Sequence, residues 1–230
     1  MDYFFLSCSK IRINFNPALM YKIGQPFVVL PKVDSTNNHA MNQARLGLAS
    51  DGTAYFALDQ YQGKGQRTKT WNSKPGENII LSVVKDCSGF HLNNQFPLSV
   101  AVALACFDFF SAHAGDETRI KWPNDLYWRD RKAGGILIEN LVKSGRWDKA
   151  IIGMGININQ TSFETIEGNP VSLRQITGKT FDPVGLAKEL CHHLENRFSM
   201  LETKPFDELL SAYNEQLFKK NEVVAFKRNN

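Results

Sequence analysis

The pattern of apolar and polar positions lays out the elements of this chain. "PFVVLPKV" (26–33) is β-branched and reads as a strand. "DSTNNHAMNQARLGL" (34–48) opens on good N-cap residues and runs in helix formers to Gly47, which predicts a helix. "TAYFALDQ" (53–60) and "NIILSVVK" (78–85) predict strands, and the glycine-containing, apolar-poor segment 61–77 between them predicts a long loop. "FPLSVAVALACFDFFSAHAG" (96–115) is apolar on nearly every side and predicts a helix buried between layers. "KWPNDLYWRDRKAGGILIEN" (121–140) reads as two strands joined by a charged hairpin turn, and "RWDKAIIGMGININ" (146–159) as a further strand. "FDPVGLAKELCHHLENRFSML" (181–201) is a helix with Asp182 as N-cap and Pro183 at its first position. "PFDELLSAYNEQL" (205–217) is another helix, and "NEVVAFKRNN" (221–230) one strand. Strands that mostly follow one another through hairpins, with helices in blocks, predict an α+β fold: a mixed sheet with helices mainly on one face.

Composition narrows the classes. With 43% apolar and 22% charged residues the chain is an ordinary globular one, and a net charge of +4 is too mild to point to nucleic acid. Cys8, Cys87, Cys106 and Cys191 form no C-x-x-C pair and read as reduced thiols of a cytoplasmic protein. The start of the chain lacks the pattern of a secretion signal. The longest apolar run, Pro97–Phe110, contains Asp108 and is too short to span a bilayer, so no membrane partner is expected. Cys191, His192 and His193 follow one another on a helix and do not converge on a metal. Asp108 answers to no motif.

Three stretches carry candidate chemistry. From Gln60 to Lys74 there are four positive charges and no acid, with Gly63 and Gly65 able to turn backbone N–H groups toward an anion. The spacing is not that of a P-loop. A solvated basic loop is one reading; a lid over a nucleotide, with Trp71 packed on ligand, is the other. In Lys121-Trp122-Pro123-Asn124-Asp125 the proline breaks the strand. Asn124 and Asp125 then form a plain Asx turn, or present an amide and a carboxylate to a ribose, a base or Mg2+. Lys132 precedes Ala133-Gly134-Gly135, and Gly153 and Gly155 repeat the glycine pattern on the next strand. This is either a hairpin turn with a glycine bulge, or a side-chain-free slot for a flat, apolar small molecule. Lysines beside apolar strands are costly to bury unless an anion meets them.

In the order G-x-G-x-R-x-x-x-W, K-W-P-N-D, R-K-x-x-G-I-L and G-x-G-I-N, these stretches resemble the biotin–protein ligases, from about Lys32 to about Asn159. The resemblance implies a biotin-synthetase fold, related to class II aminoacyl-tRNA synthetases. It implies that biotin and ATP give biotinyl-5′-adenylate and pyrophosphate, and that biotin then passes to one lysine of a biotin carboxyl carrier domain. By the same resemblance, Ser35, Thr36, Asn37 and Gln60 meet the ureido end of biotin. Gly63, Lys64, Gly65, Gln66, Arg67 and Lys69 cover the adenylate, and Trp71 lies beside the ligand. Lys132 contacts the biotin carboxylate and the α-phosphate. Gly134, Gly135, Gly153 and Gly155 floor the pocket, while Asn124, Asp125 and Asn157 lie near the nucleotide and its metal. Lys132, Arg67 and Lys121 are the expected catalytic cations, Lys121 nearer the phosphates, with Mg2+ sharing the charge; the metal ligands stay unassigned.

Gln66 and Thr68 depart from the family loop, where relatives carry arginine and glycine, so Arg67 and Lys69 are expected to carry more of the adenylate's retention. The segment before Ser35 is too short for the winged DNA-binding domain of some relatives, which implies a single-function ligase. Residues 1–217 are expected to form the catalytic domain, and 218–230 the start of a truncated or rudimentary C-terminal β-barrel. A homodimer is left open. The alternatives are a lipoate–protein ligase or related acyltransferase, whose longer substrate lacks a ureido ring, and a biotin-sensing regulator without catalysis.

Overall fold

The computed structural model describes residues 23–66, 69–163 and 169–223. Among these, seven strands form one sheet in the order β1-β2-β3-β7-β6-β5-β4. The strands are β1 (Phe27–Leu30), β2 (Ala54–Ala57), β3 (Ile79–Asp86), β4 (Thr118–Lys121), β5 (Asp125–Trp128), β6 (Arg131–Lys143) and β7 (Arg146–Ile156). β1 and β2 run parallel and the other neighbours antiparallel, so the sheet is mixed, as the hairpin pattern predicts. The helices are α1 (Thr36–Arg45), α2 (Gln95–Ala114), α3 (Leu173–Thr177), α4 (Pro183–Thr203) and α5 (Phe206–Glu215).

Period-two alternation sends the two sides of β3 to different places. Ile79, Leu81 and Val83 enter the main core with α2, α4 and α5, whereas Val84 joins a smaller cluster with Ala40 and Ala44 of α1. Helices therefore cover mainly one face, and α1 stands on the other. The Asp182 carboxylate accepts from the N–H groups of Val184 and Gly185 and starts α4, with Pro183 first in the helix.

Several expectations change. The strand predicted over 26–33 ends at Leu30, before Pro31, which has no N–H for a ladder. α3 was not foreseen; it is a five-residue helix capped by reciprocal bonds between Ser172 and Gln175. The stretch 121–140 holds the end of β4, all of β5 and most of β6, with turns at 122–124 and 129–130. Leu92–Ala114 is a continuous helical stretch of 23 residues whose most apolar 18-residue window has a mean hydropathy of 1.5, long and apolar enough to cross a bilayer, contrary to the shorter run read from sequence. Here it is a core helix, and its Asp108 takes a two-pronged bond from Arg197 of α4, at 2.6 and 2.8 Å. Residues 218–221 form a turn, and the strand expected over 221–230 lies, from 224 on, outside the described residues.

The β5–β6 ladder contains the feature that shapes the site. Tyr127 pairs with Lys132 and Leu126 with Gly134, so Ala133 has no opposite number. Such a bulge re-aims the flanking side chains. Ala133 is buried in the main core, while Lys132 comes onto the same side as Gly135: a Cβ on that glycine would lie 3.6 Å from Lys132 Nζ.

Candidate active site

A cavity of about 790 Å3 lies at the start of α1, walled by residues 64–66 and 69–72 and by β3, β4, β5, β6 and β7. Four lysines (Lys64, Lys69, Lys121, Lys132) and one carboxylate (Asp125) line it among the described residues. Ser35, Thr36, Asn37, Gln60, Gly65 and Gln66 also line it, as do Trp71, Asn124, Gly135, Gly153, Gly155 and Asn157. The separate stretches singled out in the sequence thus converge on one space.

At its inner end, Ser35 caps α1 by position, with no side-chain capping bond, so its hydroxyl is not committed to the helix. Gln60 Oε1 accepts from the Thr36 N–H at 2.8 Å. Ser82 of β3, fully buried, lies 2.6 Å from Asn37 Oδ1 and 2.7 Å from Thr36 Oγ1. A hydroxyl has one proton, and Asn37 Oδ1 cannot donate, so Ser82 donates to Asn37 and can accept from Thr36. The Asn37 amide nitrogen donates to Glu139 Oε2 at 2.8 Å and to the Leu137 carbonyl. Asn37, expected to meet a ligand, therefore has both polar ends paired within the protein. Ahead of this helix lies Asp34, whose carboxyl is held below its usual range by the Asn38 amide donating to it at 2.7 Å.

The glycine slot is occupied by the protein's own side chains. A Cβ on Gly153 would overlap the Asn37 amide, and one on Gly155 would overlap the Trp71 indole. The indole nitrogen is buried there with no hydrogen-bond partner among the described residues. Gly134 is not part of the floor: a Cβ there would point at the Gly155 carbonyl, 2.9 Å away, and at Ile156, because the bulge turns it to the other side. Gly63 lines a second cavity behind the loop and lies against the Trp71 carbonyl and the Gln60 amide. The loop closes on itself through Trp71 N–H to Gly63 O and Gly65 N–H to Lys69 O. Arg67, expected to be a catalytic cation, and Thr68 lie outside the described residues.

Charges are held in two ways. Lys132 Nζ sits 2.6 Å from Asp125 Oδ1, and Lys64 Nζ 3.6 Å from Glu139 Oε1. Lys69 and Lys121 have no carboxylate partner among the described residues. Two asparagines are partly committed to backbone. Asn124 donates to Ile136 O, and Asn157 donates to Val171 O and Lys132 O, bracing the bulge. Sequence reading missed Ser82, Glu139 and Tyr127; the available signals were a lone hydroxyl inside the apolar β3 and the placing of Glu139 two and four residues beyond Leu137 and Gly135 on the same strand side.

Residues 29–157 match the profile of the biotin/lipoate A/B protein ligase family. The chain is 32% identical over 192 residues to the bifunctional ligase/repressor BirA of Salmonella typhimurium, over 80% of its own length and 57% of that protein. To the biotin–[acetyl-CoA-carboxylase] ligase of Paracoccus denitrificans it is 28% identical, covering 80% of this chain and 78% of the other. The biotin protein ligase of Aquifex aeolicus in complex with biotin and ATP superposes with a TM-score of 0.71 at 29% identity, over 84% and 78% of the two chains. The chain spans between 57% and 59% of the length of its bifunctional relatives.

Proposed function

The chain belongs to the biotin/lipoate A/B protein ligase family, and we propose that it activates biotin with ATP and transfers it to a lysine of a biotin carboxyl carrier domain. The observation that carries this reading is the charge of the cavity wall, four lysines against one aspartate among the described residues. A carboxylate oxygen of biotin attacks the α-phosphorus of ATP, pyrophosphate leaves, and an acyl-adenylate remains. Both partners are anions. Two unit charges about 4 Å apart interact by about 4 kcal/mol at an effective dielectric of about 20. Lys132, delivered by the bulge, and Lys69 and Lys121, neither paired with a carboxylate among the described residues, offset that repulsion most where charge builds on the α-phosphoryl oxygens. No general base is needed for this step. In the second step the carrier's lysine amine attacks the acyl carbon and AMP leaves.

Mg2+ would enter with the nucleotide and lower the charge of its phosphates. Of the oxygen donors on the wall, the Asp125 carboxylate and the neighbouring Asn124 side-chain carbonyl are suited to a hard cation. Among the described residues no cluster of three or more His, Cys, Asp or Glu exists, which fits an ion held chiefly by the nucleotide. The polar inner end, with the free Ser35 hydroxyl beside Thr36 and Gln60, favours a ureido ring over the dithiolane of lipoate. Cys87, Cys106 and Cys191 are buried free thiols outside the cavity wall. That supports a cytoplasmic setting and disfavours a thioester-forming acyltransferase.

Pyrophosphate release tests the proposal. Biotin with MgATP is expected to yield it, and lipoate with MgATP is not. Lys132→Ala should cut the rate at least about a hundredfold with an unchanged circular dichroism spectrum; near-wild-type turnover would remove this lysine from the reaction.

A further inference from the structure

Lys121 is held unlike the other lysines of the cavity. Its ammonium donates to the Tyr127 hydroxyl at 3.1 Å and lies 4.6 Å from the centre of that ring and 5.9 Å from the centre of the Phe218 ring. The two rings are 5.1 Å apart and inclined by 39°. Tyr127 stands on β5 and lines the cavity; Phe218 does not line it. Phe218 comes from the segment after α5, which is tied to the edge strand β4. Ile120 N–H donates to Gln216 O at 2.9 Å, and Phe218 N–H donates to Ile120 O at 2.8 Å. A carboxylate would cancel the charge it holds. An aromatic face attracts an ammonium through its quadrupole and leaves the charge whole, available to an incoming anion.

We propose that Phe218 is a positioning residue for nucleotide activation: with Tyr127 it holds the Lys121 ammonium on the cavity wall, un-neutralised, where the phosphates of ATP are received. The inference rests on the ligase reading above and extends the site to a residue that touches no reactant. It makes the segment beyond α5 a part of nucleotide binding and gives it no part in biotin binding.

The test is a double-mutant cycle on the 230-residue chain, read by pyrophosphate release with ATP and biotin varied separately, and by calorimetric titration of biotin alone. Phe218→Ala should raise the KM for ATP about two- to fivefold and leave the biotin Kd unmoved. Phe218→Leu keeps the volume and loses the ring, and should show a similar rise. Phe218→Tyr should recover most of it. In a Lys121→Ala background, Phe218→Ala should add nothing. Losses that multiply across the two backgrounds, or a biotin affinity that falls in step with that for ATP, overturn the inference while the ligase reading stands. A wild-type chain that releases no pyrophosphate overturns both.

Discussion

Trp71 lies so closely on Gly155 that a methyl group at that position has nowhere to go. Gly155→Ala should force the indole off the strand at a cost of about 1–3 kcal/mol, which lowers biotin or ATP affinity about tenfold and shifts the tryptophan emission. Calorimetric and fluorescence titrations check this; unchanged affinity would mean that the indole moves freely. At this scale much of the site can be read from the chain. A lysine beside apolar residues and a glycine inside a strand each cost stability, so Lys132, Gly153 and Gly155 announce themselves. Their partners do not. Ser82, Glu139, Tyr127 and Phe218 are ordinary residues in their own segments, and their meaning comes from what the sheet register sets opposite them. The same gap explains why the glycines read as an open slot. Sequence shows where side chains are missing, and only the fold shows that Asn37 and Trp71 fill the space.

Among the elements, α2 and α4 are joined across a largely apolar interface by the polar pairs Asp108–Arg197 and His113–Glu189. The Asp108–Arg197 pair is two-pronged and mostly shielded, with side-chain exposures of 26% and 18%. Asp108→Ala should cost about 1–3 kcal/mol in urea unfolding and leave biotin binding intact, since α2 and α4 lie across the sheet from the cavity. Loss of binding without loss of stability would contradict that separation. Long elements with continuous patterns, α2 and α4 above all, are legible because their burial repeats over several turns. α3 is not, because five residues carry too little periodicity and its cap depends on Ser172 and Gln175 closing on each other. Within 121–140 the break at Pro123 is legible, because proline has no N–H for a ladder; that the pieces on either side pair as β4 with β5 and β5 with β6 is set by the register.

For the whole molecule, Cys87, Cys106 and Cys191 give a test that needs no ligand. Burial pushes each thiol up to about 12, against an ordinary value of about 8.5. A group with a raised folded pKa contributes stability that is fully present below its unfolded pKa and is lost as pH rises through the folded one. Lys85 acts in the same direction: burial works to lower its pKa, but Asp51 and Glu202 outweigh that and raise it. The urea midpoint should therefore fall between about pH 9 and about pH 12. Iodoacetamide at pH 8 should modify none of these three cysteines until the chain unfolds; rapid native modification, located by mass spectrometry, would show that the core is open. The bulge at Ala133 bears on the molecule in another way. Strand side chains change sides at every step, so the number of residues between Trp128 and Gly135 decides which surface receives the Lys132 ammonium. Losing a single codon there would bury that cation among hydrocarbons and silence the chemistry, although every anion-binding group would still be encoded.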